Sequence, residues 1–189
     1  YKNSNKLSFL LASRLIKEKG VYFYYDAAKY LKKKYKDKIE FNLLGFIDQK
    51  NPSSIDIKEI DLWESSKIIK YLGYTDNIEQ IIANIDCVVL PSYYSEGIPK
   101  SLLEAAAMGK PIITTNNVGC KEVVDHNFNG YLVEPRSLGS LIDGIEKFIN
   151  LHDEERLRMG QNSRKKAEIN FDEKIIINKY LGIIESFFV

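Results

Sequence analysis

A chain of 189 residues, 44% hydrophobic and 28% charged, has the size and composition of one compact folded domain, which excludes a disordered polymer and leaves two domains cramped. Lys and Arg number 27 against 26 Asp and Glu, and a formal net charge of +1 gives no support to nucleic acid as a partner. Two cysteines, Cys87 and Cys120, are too few for a disulfide framework and too far apart for a common zinc spacing, so a reducing compartment is expected.

In chain order, short runs rich in Leu, Ile and Val alternate with longer stretches of helical periodicity. Strands are predicted over 7–12, 39–44, 68–72, 87–90, 112–114 and 131–133, with Gly45, Gly73, Pro91 and Pro135 at their ends. Helices are predicted over 20–35, 56–65, 78–84, 99–108, 120–125 and 137–151, then 154–170 and 172–187. The alternation predicts an α/β fold, a Rossmann-like doubly wound parallel sheet of about six strands with helices on both faces. Asn51-Pro52-Ser53-Ser54 reads as a surface loop. The apolar runs fall far short of the ~20 residues that cross a bilayer, and the first residues carry no signal-peptide pattern. They lead almost directly into a strand without a start methionine, as expected of a piece of a longer protein.

In an open parallel sheet, ligands sit beyond the carboxyl ends of the strands, where loops enter helices. Two such loops carry the chemistry. The first, Ser13-Arg14-Leu15-Ile16-Lys17-Glu18-Lys19-Gly20, places two cations at that edge, Arg14 able to grip a diphosphate as a bidentate fork and Lys19 as a point charge. By spacing alone, two solvated loop cations fit as well. The second loop follows Cys87-Val88-Val89-Leu90 and contains Glu96-Gly97-Ile98-Pro99 before a helix from Lys100. Pro99 suits a first helical turn, Gly97 removes bulk, and the amides of residues 97–101 are free to point at an anion. Glu104 falls on one stripe with Lys100 and Ser101, while Leu102, Leu103 and Ala106 turn toward the sheet. One carboxylate at the helix mouth and one on its flank suit sugar hydroxyls better than proton transfer across a single bond. The plainer alternative is that Glu104 pairs with Lys100 on the helix surface.

These segments resemble the family-four-type retaining glycosyltransferases of the GT-B fold. The likeness rests on Leu10-Leu11-Ala12-Ser13-Arg14-Leu15 with Lys19-Gly20, on Tyr71-Leu72-Gly73-Tyr74, and on Glu-x7-Glu from Glu96 to Glu104. It continues through Met108-Gly109-Lys110-Pro111-Ile112-Ile113, Gly119-Cys120-Lys121-Glu122-Val123-Val124 and Asn129-Gly130-Tyr131-Leu132-Val133. The resemblance implies that the chain is the carboxyl-terminal, nucleotide-sugar-binding half, with its amino-terminal acceptor domain absent. It implies that Arg14 and Lys19 hold the donor diphosphate, that Glu96 lies near the transferred sugar, and that Gly97, Ile98 and Pro99 bring backbone amides toward sugar and phosphate. Ser101 and Leu102 lie close to the diphosphate, Glu104 holds the ribose hydroxyls, and Gly73 with Tyr74 lies against the nucleobase. Ser13 replaces a glycine usual in the family, which alters how closely the backbone approaches the phosphates, and residues 48–66 form an insertion that reshapes the nucleobase side.

From the same resemblance come the expected reaction and partners: retaining transfer from a UDP-hexose or UDP-N-acetylhexosamine to a glycan or polyprenyl-diphosphate-linked acceptor. Capsule and O-antigen synthesis are the closest-looking settings, at the cytoplasmic face of the membrane. No metal and no other cofactor is expected. The alternatives are a noncatalytic interaction module and an epimerase or phosphorylase of the same fold. His126 and His152 read as surface histidines, and Tyr22, Tyr24, Tyr25 and Tyr30 as core or interface. Lys32-Lys33-Lys34 and Arg164-Lys165-Lys166 read as solvated helix faces. The last helix is expected to cross back to the other domain on an apolar face of Ile175, Ile176, Tyr180, Ile183 and Ile184.

Overall fold

The computed structural model describes residues 6–187. Six parallel strands form one sheet: β1 Leu7–Ala12, β2 Ile39–Leu44, β3 Lys70–Tyr71, β4 Cys87–Leu90, β5 Ile112–Thr115 and β6 Gly130–Val133. Their spatial order is β3-β2-β1-β4-β5-β6, so the chain winds outward in opposite directions from β1 and β4. The helices α1 Val21–Tyr35, α2 Ile57–Ser65, α3 Ile78–Ala83, α4 Lys100–Ala107, α5 Leu138–Ile149, α6 Asp153–Asn170 and α7 Glu173–Ser186 complete the chain. Right-handed crossovers put α1 and α4 on opposite faces, and α1 packs beside α5 while α4 packs beside α6.

The central strands are apolar on both faces because both are covered. Beneath α1 and α5, Phe9 stacks on Phe41 with centroids 5.0 Å apart, and Phe148 and Tyr24 close edge-on around them. Of the four tyrosines at helical spacing, Tyr24 is fully buried, Tyr22 and Tyr25 pack on Trp63 of α2, and Tyr30 is exposed. The two basic runs also reach other elements: Lys34 pairs with Glu146, Lys166 with Asp125, and Arg164 donates to the Ala107 carbonyl while pairing with Glu168 along its own helix.

Two predicted elements are shorter than their sequence pattern. The strand expected over 68–72 keeps only Lys70–Tyr71, because the amides of Ile68 and Ile69 turn back to the Trp63 carbonyl at the end of α2. The helix expected over 120–125 is a single 3₁₀ turn, Lys121–Val123. Buried Asn129 accepts from the Asp125 amide at 2.7 Å and donates to the Val123 carbonyl at 2.9 Å, taking groups that a continuing helix needs. Pro99 is the N-cap of α4, with extended backbone, one residue before the helical turn it was expected to begin. Neither histidine stands free: His126 accepts from the Leu132 amide, and His152 caps α6.

Candidate functional site

Because the strand order reverses between β1 and β4, the loops leaving these two strands part and open a crevice at the carboxyl edge. A cavity of about 300 Å³ lies there. Its floor is Ala12, Ser13, Leu44 and Gly45; Arg14, Lys19 and Glu96 line it, as do Pro99, Lys100, Ser101 and Glu104 from the start of α4 and Phe46, Tyr74, Thr75 and Ile78 from the exits of β2 and β3.

Lys19 ends a 3₁₀ turn, Lys17–Lys19, that Gly20 closes in the left-handed region at φ 76°. A Cβ on Gly20 would lie 2.1 Å from the Pro91 carbonyl oxygen, so glycine lets this turn press against the exit of β4. Lys19 is only 7% exposed, and its ammonium donates to Glu96 Oε1. Ser92 Oγ lies 3.3 Å from the same carboxylate oxygen, while the Tyr93 amide donates to the Glu18 carbonyl at 3.0 Å. The loop carrying Glu96 is supported from below by Gly119, where a Cβ would fall 2.3 Å from the Glu96 carbonyl oxygen. Beside it Cys120 is buried, and that burial pushes its thiol pKa up, away from nucleophilic chemistry.

At the mouth of α4 the amides of Leu102 and Leu103 return to the Pro99 carbonyl. Those of Lys100 and Ser101 have no backbone acceptor among the described residues, which leaves the positive end of the helix open toward the cavity. Glu104 pairs with Lys100 at 3.2 Å and also lines the cavity, so the surface pairing and a ligand-facing position coexist. Arg14 is exposed on the opposite wall.

Of the residues singled out by sequence, the structure brings Ser13, Arg14, Lys19, Tyr74, Glu96, Pro99, Ser101 and Glu104 to one cavity. Leu102 does not belong with them: it is fully buried under the helix. Leu103 lies against α6, in a groove with Ala167 and Phe171. Gly97 and Ile98 are exposed at the mouth outside the cavity lining, and Gly73 supports the rim, its carbonyl accepting from the Gly45 amide at 2.8 Å. The insertion was expected to reshape the nucleobase side, yet residues 48–66 contribute nothing to the lining. They grip the Lys19 turn from outside: the Lys17 amide donates to Ser53 O at 2.9 Å, and the Ser53 hydroxyl donates to Glu18 Oε1 at 2.7 Å. Phe46 was missed, although its place directly after Gly45 at the end of a predicted strand marked it as a carboxyl-edge residue. Among the described residues, no group of three or more His, Cys, Asp or Glu side chains is placed to hold a metal ion.

Comparison with known proteins adds an independent line. The family model described as glycosyl transferases group 1 matches residues 1–166. An N,N'-diacetylbacillosaminyl-diphospho-undecaprenol alpha-1,3-N-acetylgalactosaminyltransferase of Campylobacter jejuni is 34% identical over 98% of the chain and 47% of its own length. A UDP-Gal:alpha-D-GlcNAc-diphosphoundecaprenol alpha-1,3-galactosyltransferase of Escherichia coli is 29% identical over 89% of the chain and 42% of its own. Among solved structures, a glycosyltransferase from Rickettsia africae superposes with a TM-score of 0.85 at 25% identity, over 97% of this chain and 48% of that one. The chain spans about half the length of the curated relatives it matches.

Proposed function

This chain belongs to the group 1 glycosyltransferases, and from that premise we propose that its cavity is the donor site of a retaining hexosyltransferase, binding a UDP-hexose or UDP-N-acetylhexosamine. The observation that carries the proposal is the convergence of Arg14, Lys19, Glu96, Glu104 and the open mouth of α4 on one cavity at the switch point of the sheet. Arg14, Lys19 and the α4 amides would hold the diphosphate, Glu104 the ribose hydroxyls, and Glu96 the transferred sugar. The pairing of Lys19 with Glu96 fits such a division, since one wall then presents a cation to phosphate and a carboxylate to sugar.

In the reaction, the bond between the sugar's C1 and the β-phosphate oxygen breaks, and the acceptor oxygen bonds to C1 on the same face. Its proton passes to the departing phosphate. The work of these residues is to position the donor and to balance the charge that grows on the diphosphate, with no metal assigned a part. The relatives named above act on diphospho-undecaprenol-linked acceptors by their names, and we extend a lipid-linked or glycan acceptor to this protein. A second domain would bind that acceptor, and the full protein would work at the cytoplasmic membrane surface. No helix among the described residues is long and apolar enough to cross a membrane. By itself the chain is expected to bind donor without transferring sugar.

Calorimetric titration with UDP, GDP and ADP, without added metal, tests the proposal. Saturable UDP binding is expected, weakened about tenfold or more by Arg14→Ala and by Glu104→Ala, since each loses hydrogen bonds to a charged group. UDP affinity indifferent to both substitutions would sink the donor site, and no affinity for any of the three nucleotides would favour a noncatalytic interaction module. Product analysis on the two-domain protein separates a retaining transferase from an epimerase or phosphorylase.

A further inference from the structure

One side of the cavity is lined by two aromatic side chains from different loops. Phe46 follows β2 and Tyr74 follows β3, their ring centroids 6.0 Å apart and their planes at 87°. Both loops are pinned: the Phe46 carbonyl accepts from the Leu15 amide at 3.1 Å, the Gly45 amide donates to the Gly73 carbonyl at 2.8 Å, and the Tyr71 hydroxyl donates to the Gly45 carbonyl at 2.9 Å. The Tyr74 hydroxyl donates to the Asp76 carboxylate. Yet Phe46 remains 42% and Tyr74 63% exposed. A braced aromatic corner half open to a cavity is a surface that a flat heterocycle covers well.

We propose that Phe46, braced by Tyr74, is a specificity-determining residue that selects a pyrimidine over a purine on a nucleoside diphosphate; this rests on the cavity being the donor site. Space is the first reason. About 300 Å³ must take diphosphate and ribose as well as base, at the small end of ligand cavities, and the single ring fits with less intrusion. Hydrogen bonding is the second. Guanine presents adjacent donors that call for both oxygens of a carboxylate, and one oxygen of Asp76, the acid beside this corner, already accepts from Tyr74. Uracil presents a carbonyl, an N–H and a second carbonyl, which main-chain peptide groups can match. The carbonyls of Gly45, Phe46 and Gly73 are taken, whereas no main-chain hydrogen bond among the described residues uses the amide or carbonyl of Tyr74. The base would therefore lie on Phe46 with its edge toward the Tyr74 backbone.

The test is a titration of the chain with UDP, GDP and inorganic pyrophosphate, wild type beside Phe46→Ala and Phe46→Tyr, with thermal melts to confirm that each variant folds. Wild type is expected to prefer UDP to GDP. Phe46→Ala should weaken UDP about tenfold and draw the UDP-to-GDP ratio toward one, as loss of one base–aromatic stack does. Pyrophosphate affinity should stay unchanged, and Phe46→Tyr should keep the wild-type ratio. If Phe46→Ala leaves UDP affinity and the ratio intact, the proposal is overturned while the donor site stands. Equal loss of UDP and pyrophosphate overturns it too, since Phe46 would then only hold the loop in place. A wild type that prefers GDP does the same. A wild type that binds none of the three ligands defeats the donor site and this proposal together.

Discussion

Lys19 is held more tightly than any loop cation needs to be for solubility: it is 7% exposed, and its charge is met by Glu96 from a loop 77 positions away. Truncating one member of such a pair strands the other charge in a poorly solvated place, at a cost of about 3 kcal/mol. Lys19→Met is accordingly expected to lower the unfolding free energy by about 3 kcal/mol in urea denaturation, and Lys19→Met with Glu96→Gln to regain more than half of that loss. With Glu96→Gln measured alone, a double-variant loss equal to the sum of the two single losses would show that the two charges are not coupled. This pairing was not legible in the sequence. The loop position of Lys19 and the Glu-x7-Glu spacing were, since both follow local periodicity, whereas a contact between the exits of β1 and β4 depends on which strands lie side by side. The carboxyl-edge place of Phe46 was legible too, but its ring contact with Tyr74, from another strand's exit, was not. For Leu102 the two readings diverged: the resemblance set it beside the diphosphate, whereas the helical stripe turned it toward the sheet, and its side chain is fully buried.

At the scale of elements, the part of the 48–66 insertion that precedes α2 acts on the site from behind. Ile16 and Ser54 form an antiparallel bridge, the Ile55 amide donates to the Leu15 carbonyl at 2.9 Å, and Ser53 hydrogen-bonds Glu18 next to Lys19. The Ser53 hydroxyl is the largest influence holding the Glu18 carboxyl below its usual value of 4.5. A carboxyl whose pKa is depressed by folding favours the folded state above its unfolded value, and that contribution is lost as pH falls through the folded value. Ser53→Ala should lower stability at pH 7 by about 0.5 kcal/mol, since solvent screens a hydrogen bond to so open a carboxylate. The gap from wild type should narrow as the pH falls below 4.5. Melts at a series of pH values read this directly, and a gap that stays constant into acid would show that the Ser53–Glu18 bond carries none of it. Sequence showed the segment as an irregular loop from Asn51-Pro52-Ser53-Ser54, and that much was right. Its target was invisible because a loop has no periodicity from which a buried face can be read.

For the whole molecule, the alternation of apolar runs with helical periods made the layered parallel sheet legible, because a strand covered on both faces and a helix covered on one leave different patterns. Strand order was not, since it is set by pairing between distant segments. The apolar face of α7 was read from the sequence as Ile175, Ile176, Tyr180, Ile183 and Ile184; in the structure Tyr180, Ile183 and Ile184 are exposed and Ile175 is half-buried, while the side chain of Ile176 lies outside the described residues. The central claim, that the crevice between the β1 and β4 loops is a nucleotide-sugar donor site, is tested most directly by a crystal structure of the chain grown with UDP. The diphosphate is expected between Arg14, Lys19 and the amides of Lys100 and Ser101, with the ribose hydroxyls on Glu104 and the uracil against Phe46 and Tyr74. UDP seated elsewhere on the molecule, or seated in the crevice without contact to Arg14 and Glu104, would contradict it.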